Sequence, residues 1–166
     1  MPEARREVAQ PKAEPPVGGG DSVRPGATLP PPSPGRLACR AMSDILVVAD
    51  ETWVLNDVRA ALTEPRYTLH EVSDPRQVVE RLGDTAPGAV VVDMQIGSMG
   101  GMAVTRAIRD GGAVGGSDAP PVVLLLDRDA DAFLAGRSGA VDWVRKPFSS
   151  HDLRAAVDGA MQRSNA

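Results

Sequence analysis

The sequence is poor in the residues on which several protein classes depend. Its 166 residues include one cysteine, two histidines, two tryptophans, one tyrosine and two phenylalanines. A lone Cys39 closes no internal disulfide and builds no thiolate metal site, which excludes a secreted disulfide scaffold and a zinc module. No apolar run approaches the roughly 20 residues that cross a bilayer. Arg5-Arg6 leads into Pro, Gly and charge instead of the apolar stretch of an export signal, so the expected compartment is the cytoplasm, with no membrane partner. With so few aromatics, any core must be built from Val, Leu, Ile, Met and Ala.

Proline and glycine are unevenly spread. Nine of the 15 prolines and five of the 17 glycines fall in residues 1–41, and what remains has the composition of a packed α/β unit. Pro15-Pro16, Gly18-Gly19-Gly20 and Pro30-Pro31-Pro32 interrupt a stretch without apolar periodicity, so residues 1–41 are expected to be a disordered tail and residues 42–166 a single domain. The tail reads either as a solvated leader or as an adaptor whose Leu29 to Pro34 segment docks in polyproline form. Translation starting at Met42 is a further alternative, because the patterned sequence begins just after it. Charge divides in the same place. Residues 1–41 carry six Lys/Arg against four Asp/Glu, and residues 42–166 carry twelve against eighteen, giving +2 and −6. A domain of that sign is a poor nucleic-acid binder.

From Ile45 onward, short apolar runs alternate with segments of helical period, the pattern of a parallel sheet covered on both faces. Ile45 to Val48, Ala89 to Val92 and Val122 to Leu126 are unbroken aliphatic runs and are expected to be central strands. Tyr67 to Val72 and Asp142 to Arg145 carry polar residues and are expected at the edges, which fits an α/β doubly wound, flavodoxin-like sheet of order 2-1-3-4-5. Helices are predicted over Thr52 to Thr63, after the Ser73-Asp74-Pro75 start with Val78, Val79 and Leu82 inward, and over Gly101 to Asp110, ending at Gly111-Gly112. A short fourth helix is predicted over Asp129 to Ser138, anchored by Phe133 and Leu134. Ser150 is predicted to cap a last helix carrying Leu153, Ala156, Val157 and Met161.

Ligand sites in such sheets lie beyond the carboxyl ends of the strands, where this chain has Asp50, Asp93, Asp127 and Lys146. Neighbouring first and third strands bring Asp50 and Asp93 to one rim. Two carboxylates in one crevice repel unless a proton or cation lies between them, and a hard divalent ion such as Mg²⁺ suits oxygen ligands. An Asp beside such an ion and a Lys is arranged for phosphoryl chemistry, with the carboxylate as nucleophile. Taken one at a time, these residues read more readily as turn formers, caps or solvated edge positions; taken together, at corresponding ends of three strands, they favour the site. His70 and His151 have no evident partner and read as surface residues, and Met94, Met99 and Met102 near Asp93 read as flexible packing rather than a docking groove.

Four pieces in register carry a resemblance. These are Ile45 to Glu51, then Val90-Val91-Val92-Asp93 followed by Met99-Gly100-Gly101, then Pro121 to Leu125, then Gly139 to Phe148 with its Lys146-Pro147-Phe148 element. Over the 120 residues from Asp44 to Arg163 the chain resembles the receiver domain of bacterial two-component response regulators. The resemblance implies Asp93 as phosphoacceptor, Asp50, Asp93 and the Gln95 carbonyl as Mg²⁺ ligands, Lys146 as the phosphate-contacting lysine, and a cis Lys146–Pro147 peptide. It places Leu126 and Trp143 at the two switch positions.

The chain also departs from the family pattern. Ala49 stands where a second acidic residue usually precedes Asp50, which should lower metal affinity. Leu126 stands where a Thr or Ser hydroxyl usually binds the phosphoryl group, and Asp127 adds a negative charge beside it. Gly97 and Gly100 replace the usual Pro and Asp, and two residues are missing between Leu126 and Lys146. The implied function is a stand-alone, non-enzymatic response regulator in a phosphorelay. It would take its phosphoryl group from a histidine kinase or phosphotransfer protein and signal to a downstream target through the face of the fourth helix, fifth strand and fifth helix. The alternative is a degenerate pseudo-receiver that binds protein without phosphorylation. A small nucleotide-binding protein or phosphatase fits less well, because no Gly-rich phosphate loop follows the first strand and no second acid lies two residues after Asp93.

Overall fold

The computed structural model describes residues 42–97, 99–115 and 118–164; the tail readings for residues 1–41 lie outside them. Five parallel strands, β1 (Ser43–Val48), β2 (Tyr67–Val72), β3 (Ala89–Asp93), β4 (Val122–Leu126) and β5 (Asp142–Arg145), form one sheet in the order β2-β1-β3-β4-β5. The register sets Val48 opposite Val92, Asp93 opposite Leu125 and Leu126 opposite Arg145, so the carboxyl ends of β1, β3, β4 and β5 share one rim.

The three aliphatic runs are central because successive side chains point to opposite faces, and here both faces are covered. Ile45, Val47, Val91, Val123 and Leu125 pack on one side with Val54 and Val58 of α1 (Thr52–Ala61) and Leu153 and Val157 of α5 (Ser150–Ser164). Leu46, Val48, Val90, Val92, Leu124 and Leu126 pack on the other side. There they meet Val78 of α2 (Val78–Thr85), Val104 and Ile108 of α3 (Gly101–Gly115) and Ala135 of α4 (Ala132–Ser138). Each fully buried Val or Leu is worth about 1.5–3 kcal/mol, so these two layers dominate the stability of the fold.

Several local expectations are corrected. α1 ends at Ala61, and the Thr63 hydroxyl turns back to donate to the Arg59 carbonyl. A 3₁₀ turn, Pro75–Gln77, precedes α2, and Val79 is half exposed while Val78 is buried. α3 continues through Gly111 to Gly115, because a Cβ at Gly111 would stand 3.3 Å from Val79 and the bare backbone lets α2 and α3 approach. Phe133 and Leu134 do not anchor α4, since Phe133 is 70% exposed; Ala135 and Ala132 face the core instead. The cap of α5 is Ser149, not Ser150. Its hydroxyl accepts from the Asp152 amide, and the Ser149 hydroxyl and backbone N–H both donate to the Asp152 carboxylate, which holds that carboxyl below its usual range.

Candidate functional site

β3 ends on Asp93 because the aliphatic run that buries the strand stops at the sheet edge, and the side chain enters the rim almost wholly shielded, at 1% exposure. Its Oδ1 accepts from Lys146 Nζ at 2.9 Å and from the Gln95 amide at 3.1 Å, whereas Oδ2 is buried without a partner. Lys146 reaches this position from the residue after β5, with a side chain only 5% exposed. The Lys146–Pro147 bond is cis. Asp50, just beyond β1, is exposed and accepts from the Gly97 amide at 2.8 Å. That donor depends on the departure at position 97, since a proline has no N–H to give. Gly97 also has φ +39°, in the left-handed region that favours glycine. Gly101 closes the same β3–α3 connection: a Cβ there would lie 2.6 Å from the Asp93 carbonyl oxygen.

The structure therefore brings Asp93, Lys146 and the Gln95 backbone together and ties Asp50 to the adjoining loop. Leu126 is buried in the layer covered by α2, α3 and α4, and Trp143, on β5, is 43% exposed. Sequence reading missed two neighbours of the lysine. Asp127 Oδ1 stands 3.0 Å from Lys146 Nζ, and the Trp53 ring, from the first turn of α1, lies with its centroid 5.1 Å from the same nitrogen. Asp127 brings the negative charge expected beside the site, and it does so as one side of an ion pair with Lys146. The predicted helix from Thr52 contains Trp53, but helical period alone does not say where that ring turns.

Among the described residues no three His, Cys, Asp or Glu side chains gather as a metal cluster. A cation at this rim would rest on two carboxylates and backbone oxygen, as the alanine at position 49 requires. The unpartnered, buried Asp93 Oδ2 is nevertheless the kind of atom that a hard cation or a phosphorus centre satisfies.

The response regulator receiver domain family matches residues 45–158 of the chain. The chain belongs to this family. Among curated proteins, the receiver domain is similar to the response regulator MprA of Mycolicibacterium vanbaalenii, 30% identical over 122 residues that cover 72% of this chain and 51% of MprA. It spans about half the length of the curated relatives it matches. Among solved structures, a response regulator receiver domain protein from Clostridium thermocellum superposes with a TM-score of 0.64 at 24% identity, covering 74% of this chain and 97% of that one. The receiver domain of the sensor histidine kinase PA1611 of Pseudomonas aeruginosa superposes at 0.62 with 22% identity, covering 74% and 99%, and is described with a magnesium ion in its active site cleft. At these identities the two structures speak for the fold. The five-stranded 2-1-3-4-5 sheet expected from the sequence is the receiver fold. No helix among the described residues is long and apolar enough to cross a membrane.

Proposed function

We propose that this receiver domain accepts a phosphoryl group on Asp93 from a histidine kinase or a phosphotransfer protein and passes the signal on by protein contacts, without enzymatic turnover of a substrate of its own. The observation that carries the reading is the state of the Asp93 carboxylate. Oδ1 is fixed by Lys146 and the Gln95 amide, which leaves Oδ2 as the oxygen with lone pairs to give. In the transfer, a carboxylate oxygen of Asp93 bonds to phosphorus, the phosphorus–nitrogen bond of a phosphohistidine breaks, and the imidazole leaves with its proton. Lys146, already in contact with Asp93, neutralises part of the charge that gathers on the phosphoryl oxygens.

Asp50, Asp93 and the Gln95 carbonyl are the groups of this chain that would hold Mg²⁺, and the ion, when bound, supplies a positive centre for the phosphoryl oxygens. Asp50 is oriented toward that role by the Gly97 amide. The target surface is the α4–β5–α5 face, where Phe133, Trp143 and Val141 are exposed. A cytoplasmic location fits a partner of this kind.

A second reading, a pseudo-receiver that binds protein without phosphorylation, is favoured by one observation: Lys146 already pairs with a second carboxylate, Asp127. Incubation with a small acyl-phosphate donor and Mg²⁺, followed by intact-mass measurement, separates the two. The phosphoacceptor reading expects one added phosphoryl group that is lost in Asp93→Asn. An unchanged mass at saturating donor supports the pseudo-receiver.

A further inference from the structure

Lys146 is held from three sides before any phosphoryl group arrives. Its ammonium has three donors, of which one faces Asp93 Oδ1 at 2.9 Å and one faces Asp127 Oδ1 at 3.0 Å, while the Trp53 ring lies 5.1 Å away. It is also the only lysine in residues 42–166. We propose that Asp127 is a positioning residue that competes with the phosphoryl group for Lys146 and thereby shortens the life of phosphorylated Asp93. The inference rests on the phosphoacceptor reading of Asp93.

Phosphorylation replaces one carboxylate charge by a group carrying about −1.5 to −2. Asp127 then shares a single ammonium with that group. Leu126 brings no hydroxyl to the rim, so Lys146 is not relieved by a neighbouring donor on β4. Two arrangements remain. Asp127 keeps its contact and faces the phosphoryl charge, or it leaves Lys146 and turns to solvent, which its 33% side-chain exposure at the rim allows. Either way the unphosphorylated state keeps an ion pair that the phosphorylated state weakens. Part of that ion pair is regained as the bond from phosphorus to the Asp93 oxygen lengthens, which lowers the barrier to hydrolysis: water bonds to phosphorus, that bond breaks, and inorganic phosphate leaves as the carboxylate returns.

The test compares the parent chain, Asp127→Asn and Asp127→Glu. Asparagine keeps the shape of the side chain and removes the charge; glutamate restores the charge. With a small acyl-phosphate donor and Mg²⁺, the half-life of the phosphorylated chain should lengthen about tenfold in Asp127→Asn, the scale of one partly buried charge at ion-pair distance. It should fall back toward the parent in Asp127→Glu. A second readout needs no phosphorylation. In chains carrying Lys12→Arg and labelled with [¹⁵N]lysine, the single ammonium resonance is that of Lys146, and Asp127→Asn should shift it and speed its exchange with water. Equal half-lives in parent and Asp127→Asn, both labelled, overturn the role of Asp127 while leaving Asp93 as phosphoacceptor. An ammonium resonance indifferent to Asp127 overturns it as well. If no variant is labelled, the phosphoacceptor reading itself fails and this inference fails with it.

Discussion

Removing either partner of the Asp93–Lys146 pair should have very unequal effects on stability. In Lys146→Met an apolar side chain of similar length is kept, while the ammonium and its contacts with Asp93, Asp127 and the Trp53 ring are lost. Asp93 is then a carboxylate at 1% exposure whose Oδ2 has no partner and whose Oδ1 keeps only the Gln95 amide. Breaking a buried ion pair by removing one member typically costs about 3–5 kcal/mol. That is a large share of the roughly 5–15 kcal/mol that holds an ordinary domain folded. For a domain of this size the loss corresponds to a melting temperature lower by roughly 10–20 °C. Asp93→Asn is different. It replaces the buried charge by a neutral amide, with a nitrogen in place of the orphan oxygen, and Lys146 keeps Asp127 at 3.0 Å, a partner whose side chain is one-third exposed. The change should lie within about 1 kcal/mol of the parent, of either sign. Equilibrium urea unfolding of the two variants checks the asymmetry. A loss in Asp93→Asn as large as that in Lys146→Met would refute the claim that Asp127 keeps the lysine satisfied.

Gly101→Ala places a Cβ 2.6 Å from the Asp93 carbonyl oxygen and 2.8 Å from the Met94 Cα; it should destabilise by about 1–3 kcal/mol in urea unfolding and lower phosphorylation as the β3–α3 turn shifts. In Tyr67→Phe the loss of the 2.7 Å hydrogen bond to Asp158 should cost about 1 kcal/mol near neutral pH. Burial and Asp158 raise the Tyr67 pKa, so that contribution is present below the unfolded value of about 10 and is lost as pH rises above it; parent and variant stabilities should converge there in pH-resolved unfolding. Leu126→Thr replaces a fully buried leucine and should cost about 2–4 kcal/mol, yet enlarge the phosphorylation-dependent change in Trp143 emission measured in a Trp53→Phe background. Little change in the parent and more in the variant is expected; a full response in the parent contradicts the coupling through position 126.

What the sequence made legible follows from burial. Ile45 to Val48, Ala89 to Val92 and Val122 to Leu126 are continuous aliphatic runs because both faces of β1, β3 and β4 are covered, and the residues ending them fall at the ligand rim by topology alone. α4 was misjudged because its inward residues are alanines, which carry little hydrophobic signal, while its conspicuous Phe133 points outward. The length of α3 was misjudged because glycine propensity opposed a helix that close packing on Val79 permits. At the site, Asp50, Asp93 and Lys146 could be read from strand ends. The Lys146 contacts with Asp127 and Trp53 could not, because they depend on side-chain directions between residues 19 and 93 positions apart.

The most direct measurement of the central claim is borohydride trapping after incubation of the full chain with a small acyl-phosphate donor and Mg²⁺, followed by peptide mapping. Hydride reduces an aspartyl phosphate to homoserine with release of phosphate, and so records which carboxylate was phosphorylated. The expected result is homoserine at position 93 and unmodified aspartate at positions 50 and 127. Homoserine at position 50 or 127, or an intact Asp93 at saturating donor, would contradict Asp93 as the phosphoacceptor.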